Sequence, residues 1–271
     1  MTFYELISRL EAAGVENASF EAEIIAEIFC GLTRAEIPFS RDKELSGDGL
    51  ADALRRRESG EPLQYIAGEW EFMNEVYEVT PAVLIPRQDT ETLVEWAIKN
   101  APQDSLFADL GTGSGCIAIS LLAARRDLRG VALDVSAEAL EVAKRNAEKN
   151  GVADRISFVR GDILSEEGFS GEYDLILSNP PYVSAEEYGK LDRELYFEPK
   201  CALTDGGDGL SFYRAIVGSF PKNLKDGGAF AFEIGASQAK GVSSVAEGAG
   251  FDTEILKDLA GRDRAAILKK R

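Results

Sequence analysis

The sequence predicts an α/β chain in two parts, a small helical bundle followed by a doubly wound sheet of alternating strands and helices, with a β-hairpin between them. Three observations carry this. Apolar residues recur at helical spacing behind capping patterns through about the first sixty positions. Between Tyr65 and Val79 the texture turns to short runs typical of a hairpin. From Leu106 onward, short apolar runs alternate with helical stretches, and a glycine-rich turn follows the first of them.

Taken in order, Thr2-Phe3-Tyr4-Glu5 has capping-box spacing, Leu6, Ile7 and Leu10 form an apolar stripe, and Gly14 stops the helix. A second helix is expected from Ser19 through Ile24, Ile25, Ile28 and Phe29 to Gly31. A further capping pattern, Thr33 to Glu36, opens a shorter turn or helix, and another helix runs from Gly49 to Ser59 before Gly60 and Pro62. Trp70-Glu71-Phe72 and Val76 to Val79 flank Met73-Asn74-Glu75 as a hairpin. The expected boundaries are therefore 1–68 for the helical domain, 69–85 for the hairpin linker and 86–271 for the α/β domain. In the last, Leu93, Val94, Trp96 and Ala97 mark a helix before the strand Leu106 to Leu110, and strands follow at Val131–Leu133, Ile156–Val159, Tyr173–Leu177, Ala229–Ile234, Thr253–Leu256 and Ala265–Leu268.

Chemistry concentrates at the ends of these strands. Gly111-Thr112-Gly113-Ser114-Gly115 joins the first strand to a helix beginning at Cys116. Alternate glycines let the backbone approach a ligand closely, and the helix N-terminus adds partial positive charge. The next strand ends at Asp134, 23 positions past Gly111, where an acid can accept bonds from ribose hydroxyls. The plain alternatives are a packing turn for the glycines and a helix cap for Asp134, since Ser136 and Glu138 follow. Asp162 and Ile163, after the third strand, can receive an exocyclic adenine amine and pack on its ring, or serve as ordinary loop residues. After Tyr173–Leu177 comes Asn179-Pro180-Pro181-Tyr182. The two prolines remove two N–H donors and stiffen the loop, Asn179 adds a carbonyl, and Tyr182 adds a flat ring. Such a loop suits a planar NH2 group, with two hydrogens to give and a π face to stack; on its own it also reads as a Pro-rich turn.

Composition excludes much else. At 271 residues, 45% hydrophobic and 28% charged, the chain has room for one large domain and a small one. It contains no histidine, which removes Ser-His-Asp and Cys-His chemistry and most zinc sites, and no metal site is expected. The three cysteines, Cys30, Cys116 and Cys201, are far apart and expected as reduced thiols. Cys116 reads as a small packing residue, or, at a helix N-terminus, as a thiol of lowered pKa. A net charge of −17 argues against a large phosphate-contacting surface. The densest basic cluster, Arg55-Arg56-Arg57, reads as a solvated helix face. With no membrane-length apolar stretch and no basic-then-apolar N-terminus, a cytoplasmic protein without membrane or direct nucleic-acid contact is expected.

Glycine turn, ribose acid and Asn-Pro-Pro-Tyr in this order resemble the class I S-adenosylmethionine-dependent methyltransferases, which implies a Rossmann-like domain with an antiparallel last strand. The tetrapeptide is shared by enzymes acting on adenine and on protein glutamine. Leu84-Ile85-Pro86-Arg87-Gln88-Asp89-Thr90-Glu91 narrows the choice. It resembles the Leu-Ile-Pro-Arg-Pro-Asp-Thr-Glu signature of the protein-glutamine methyltransferases of the PrmC or HemK type, with Gln88 in place of a proline. Glu61 to Gly68, Glu198-Pro199, Ala202-Leu203, Gly209-Leu210, Tyr213-Arg214 and Gly261 to Arg264 agree with the same family; Ile163 departs from it, since relatives often carry an aromatic there.

The resemblance implies methyl transfer from S-adenosyl-L-methionine, leaving S-adenosyl-L-homocysteine, to the glutamine of a Gly-Gly-Gln loop in peptide chain release factors 1 and 2. Residues 1–68 would recognise the substrate protein, and the enzyme would act as a monomer. Gly111, Thr112, Gly113, Ser114, Gly115, Asp134, Asp162, Ile163 and Asn179 would bind the cofactor. Asn179, Pro180, Pro181 and Tyr182 would hold the target amide, with Asn179, Pro180 and Tyr182 catalytic. The runner-up is an adenine-N6 methyltransferase on DNA or RNA, which would have to flip its base; a non-catalytic docking protein is the third reading.

Overall fold

The structure, a computed structural model, describes residues 1–33, 35–165 and 168–271. It divides into two compact units: Met1–Glu69 together with Asp192–Phe197, and Trp70–Leu191 together with Glu198–Arg271.

The first unit is helical, with α1 (Phe3–Ala12), α2 (Ala18–Cys30), α3 (Ile37–Ser40), α4 (Leu50–Glu58) and α5 (Leu63–Ala67). The capping box that opens α1 is complete: Glu5 N–H donates to Thr2 Oγ1 at 3.2 Å, and Thr2 N–H donates to Glu5 Oε2 at 2.8 Å. Leu6 and Leu10 are buried, and α2 ends at Gly31 in the left-handed conformation, φ +67°. Glu36 accepts from Thr33 N–H at 2.9 Å, and α3 begins one residue later, with Pro38 in its first turn.

The basic cluster does not form a solvated face. Arg57 is buried, with Nε donating to Glu21 at 2.5 Å, Nη1 to the Glu61 carbonyl at 3.2 Å and Nη2 to Glu194. Arg56 grips Glu61 through two bonds of 2.6 and 2.8 Å. Arg55 alone stays on the exposed side, paired with Asp52. Burial of an arginine is tolerable because its fork is answered by carboxylates.

The second unit opens with a two-stranded sheet, β1 (Glu69–Phe72, its first residue in the helical unit) and β2 (Glu75–Glu78), turning at Met73-Asn74. Next come α6 (Gln88–Asn100), β3 (Leu106–Leu110), α7 (Cys116–Ala124), β4 (Arg129–Asp134), α8 (Ala137–Lys149) and β5 (Ile156–Arg160). After them come β6 (Tyr173–Ser178), the short α9 (Ala185–Tyr188) and α10 (Lys200–Leu203), α11 (Ser211–Ser219), β7 (Leu224–Glu233), α12 (Ala239–Gly248), β8 (Phe251–Lys257) and β9 (Asp263–Lys270). Seven strands form one sheet in the order β5-β4-β3-β6-β7-β9-β8. The first five are parallel and β9 runs antiparallel to both neighbours.

Strand alternation builds two cores. Phe107, Leu175, Ala231 and Ile267 face α6 and α7 residues such as Leu93 and Ile117, while Ala108, Ile176, Phe232 and Leu268 face Ile216 of α11 and Val242 of α12. Both faces are covered, so the strands read as continuous apolar runs. The strand order reverses beside β3, and the carboxyl ends of β3, β4, β5 and β6 open at that switch point, where ligands of doubly wound sheets bind. No helix among the described residues is long and apolar enough to cross a membrane.

Candidate active site

At that edge lies a cleft of about 280 Å³, close to the lower bound of small-molecule sites, roughly 300–1,000 Å³. Gly111, Thr112, Gly113, Ser114, Asp134, Asp162, Ile163, Asn179 and Pro181 all line it; Gly115, Pro180 and Tyr182 do not. One concavity therefore gathers residues from four strand ends.

The glycine turn is shaped from both sides. Gly111 and Thr112 donate their N–H groups to the Leu133 carbonyl at 2.8 and 2.9 Å, and Thr112 Oγ1 donates to buried Asp109 at 2.6 Å. Gly111, Gly113 and Gly115 have φ of +73°, +55° and +84°, which side chains resist. Gly113 faces open space, with nothing within 4 Å of an added Cβ, whereas a Cβ at Gly115 would meet Ile119 at 2.7 Å. Gly113 thus leaves room beside the turn, and Gly115 packs the start of α7.

Asp134 is a clamp as well as a wall. Its Oδ2 accepts from Gly113 N–H and its Oδ1 from Ser136 N–H, each at 2.9 Å, while Ser136 itself caps α8. Burial raises its pKa against these bonds. Asp162 Oδ1 accepts from Leu164 N–H at 2.9 Å, and Ile163 is buried beside Gly111.

Two orphans lie beside the turn. Asp109 Oδ1 and Ser114 Oγ are buried with no hydrogen-bond partner among the described residues, and Ser114 lines the cleft. Asp134 and Asp162 are the acids of the lining, and Arg87, its one basic side chain, is engaged by Glu198. A ligand with hydroxyls, an amine and net positive charge matches this set of acceptors.

Across the cleft, the Asn179 loop is tied to buried Thr90 and Glu233, beside which lies a pair of buried Arg264 with half-exposed Asp89; none of the four was given a role from sequence. Asn179 Nδ2 donates to Thr90 Oγ1 at 3.3 Å, Thr90 Oγ1 donates to Glu233 Oε2 at 2.5 Å, and Tyr182 O–H donates to Glu233 Oε1 at 3.1 Å. Arg264 pairs with Asp89 at 3.0 Å. Behind the loop, Gln238 Nε2 donates to the Tyr182 carbonyl at 2.8 Å and to that of Gly209 at 3.2 Å. Gly209 must be glycine, since a Cβ there would sit 2.3 Å from the Tyr182 carbonyl oxygen. The Pro180 carbonyl accepts no hydrogen bond from the described residues. Glu198 takes the Ile85 N–H at 3.0 Å as well as Arg87, which joins two stretches distant in sequence. One signal for Glu233 was available: it ends an apolar run at the same sheet edge as Asp134.

Burial governs the site's protonation. It pushes Glu233 and Asp109 up to about 7, and the Tyr182 hydroxyl, next to Glu233, higher than usual. Burial also pushes the Cys116 thiol up to about 12, so the lowered pKa considered for a helix N-terminus is not realised: loss of water outweighs the dipole.

In the folded state Glu233 and Asp109 keep protons that the unfolded chain releases near the ordinary carboxylate range, so their ionisation destabilises the fold above about pH 7 and is relieved as pH falls. With no histidine to titrate in this window, stability should rise by about 1 kcal/mol per group between about pH 8 and about pH 6. Thermal midpoints should increase accordingly, with a smaller increase in Glu233→Gln. A midpoint that falls on acidification in this range would contradict the assignment.

Comparison with known proteins agrees with the geometry. A family model described as PrmC N-terminal domain matches residues 4–68, and one described as Methyltransferase small domain matches residues 88–217. A release factor glutamine methyltransferase of Nitratidesulfovibrio vulgaris is 42% identical over 97% of this chain and 92% of its own length. Another, from Moorella thermoacetica, is 40% identical over 98% and 96%. Among solved structures, a methyltransferase from Pyrococcus furiosus superimposes with a TM-score of 0.55 at 19% identity, over 72% of this chain and 89% of that one, which speaks for the fold. With relatives this similar over nearly its whole length, the chain belongs to the release factor glutamine methyltransferase family.

Proposed function

We propose that this protein transfers a methyl group from S-adenosyl-L-methionine to the side-chain amide nitrogen of the glutamine in the Gly-Gly-Gln motif of peptide chain release factors 1 and 2. One observation carries the reading: the glycine cradle with Asp134 and the loop residues Asn179 and Pro181 are walls of the same cleft. The relatives' activity toward release factors supports the substrate class.

Bound S-adenosylmethionine supplies a methyl carbon on a sulfonium, so that a carbon–nitrogen bond forms as the carbon–sulfur bond breaks and the electron pair returns to sulfur. A glutamine amide is a poor partner for it, because resonance draws the nitrogen lone pair into the carbonyl. The protein's task is to aim and polarise that nitrogen. Asn179 Oδ1 and the Pro180 carbonyl accept its two N–H bonds, Tyr182 stacks on the amide plane, and Pro181 stiffens the loop. These acceptors stabilise positive charge that develops on nitrogen, and one proton leaves for solvent after transfer. Orientation alone is worth roughly 7–11 kcal/mol in favourable cases, so no strong base is needed.

In the cradle, Gly111 to Ser114 hold the methionine portion beside the start of α7, with Gly115 setting the turn. Asp134 binds the ribose hydroxyls, while Asp162 and Ile163 meet the adenine. Residues 1–68 recognise the release factor, 69–85 link, and 86–271 carry out transfer. A translation protein as substrate puts the enzyme to work in the cytoplasm. An adenine target has less to support it, since a chain of net charge −17 is poorly made for phosphates.

Mass spectrometry tests the reading. Release factor incubated with this protein and donor should gain one methyl group on the Gly-Gly-Gln glutamine. Modification of another residue, or none at all, would overturn it.

A further inference from the structure

We propose that Glu233, acting through the Thr90 hydroxyl, is a positioning residue that decides which end of the Asn179 carboxamide faces the substrate nitrogen. The oxygen and NH2 ends of a carboxamide have nearly the same shape, so packing does not choose between them; hydrogen bonds must. An acceptor toward the substrate serves the reaction, whereas a donor there would oppose the substrate's own N–H groups.

The bonds make the choice in sequence. Glu233 is buried at the end of β7, and its ionised carboxylate only accepts. Oε2 takes the single O–H of Thr90 at 2.5 Å, and Oε1 takes that of Tyr182 at 3.1 Å. Thr90 Oγ1 then has only lone pairs left to offer Asn179, and it meets Nδ2 at 3.3 Å. Oδ1 is left without a partner among the described residues, in a side chain that lines the cleft. The same carboxylate fixes the Tyr182 ring, so one buried acid orients both polar side chains of the loop.

Protonation of Glu233 would undo this. A protonated carboxyl donates, which frees the Thr90 hydroxyl to turn toward Asn179 and favours the reversed carboxamide. The charged and titratable groups around Glu233 are Asp89 on α6, Arg264 on β9, Cys116 on α7, Tyr213 on α11 and Tyr182. Burial pushes both tyrosines and Cys116 upward, away from neutrality, while Glu233 lies near 7. The chain has no histidine to imitate the effect, and Asp109, which also lies near 7, bonds Thr112 of the glycine turn and not this network, so Glu233→Gln separates the two.

The consequence for catalysis rests on the proposed transfer reaction, but the orientation does not, and it is measured without donor or substrate. In protein labelled with 15N at asparagine side chains, the Asn179 NH2 signals are identified by their loss in Asn179→Ala. In the wild-type protein they should shift between about pH 6 and about pH 8 with a midpoint near that of Glu233. The shift should vanish in Glu233→Gln. Thr90→Val should move the signals at fixed pH, and Thr90→Ser should restore them. Signals indifferent to pH in the wild-type protein, or unmoved by Thr90→Val, overturn the proposal; the wild-type titration decides even where a variant does not fold. In the transfer assay, Thr90→Val should lower kcat by about 10- to 100-fold at unchanged donor affinity, with recovery in Thr90→Ser. Wild-type protein that shows the amide titration but methylates nothing would sink the proposed function and leave the relay standing.

Discussion

Asn179→Ala is expected to lower kcat by about 10²- to 10³-fold while donor affinity falls by far less, since the other expected donor contacts remain. The size is that of one pre-placed polar contact to a group that gains charge in the transition state, roughly 3–4 kcal/mol. Alanine removes the Oδ1 acceptor proposed for the substrate nitrogen, and it also releases Thr90, whose bond to Glu233 persists. The cradle is untouched, because Gly111 and Thr112 hang from Leu133, and Gly113 from Asp134. Calorimetry of donor binding beside single-turnover methyl transfer separates the two. Equal loss of binding and turnover would show that Asn179 belongs to the donor side of the cleft.

Asp134→Ala is expected to weaken donor binding by about 10- to 100-fold, or roughly 1.4–2.8 kcal/mol. Two losses combine. On the proposed assignment the ribose hydroxyls would lose a charged acceptor, worth more than a neutral one, and the Gly113 and Ser136 N–H groups lose the carboxylate that holds them at 2.9 Å each. At saturating donor, kcat should recover most of its wild-type value, since β3 separates the strand that ends at Asp134 from the one that leads into the Asn179 loop. Unchanged affinity would remove Asp134 from the donor site and leave it as a loop clamp.

Much of this architecture was legible in sequence because the signals were local. The runs Leu106–Leu110, Val131–Leu133 and Tyr173–Leu177 are strands at or within one or two residues of their expected ends, since a sheet covered on both faces demands unbroken apolar segments. The Thr2–Glu5 box and the left-handed Gly31 were equally plain, as each is satisfied within a few residues.

What stayed hidden depends on partners far along the chain. Glu233 looks like any strand-end acid until Thr90, 143 positions away, and Tyr182 are brought to its two oxygens. Arg57 reads as one member of a solvated basic run, and only the fold supplies Glu21 and Glu194 to bury it. The short α9 and α10 carry too few turns for periodicity to register. For the site, most motif residues line the cleft, though Gly115, Pro180 and Tyr182 do not; Thr90 stood inside a matched stretch without a role of its own, and Glu233 lay in none.

The most direct test is a crystal structure of the protein with S-adenosylhomocysteine and a release factor fragment carrying the Gly-Gly-Gln loop. The target glutamine nitrogen should lie about 2.7–3.2 Å from Asn179 Oδ1 and from the Pro180 carbonyl oxygen, with the sulfur on the open side of that nitrogen. A sulfur directed away from the Asn179 loop, or a glutamine held elsewhere, would contradict the account.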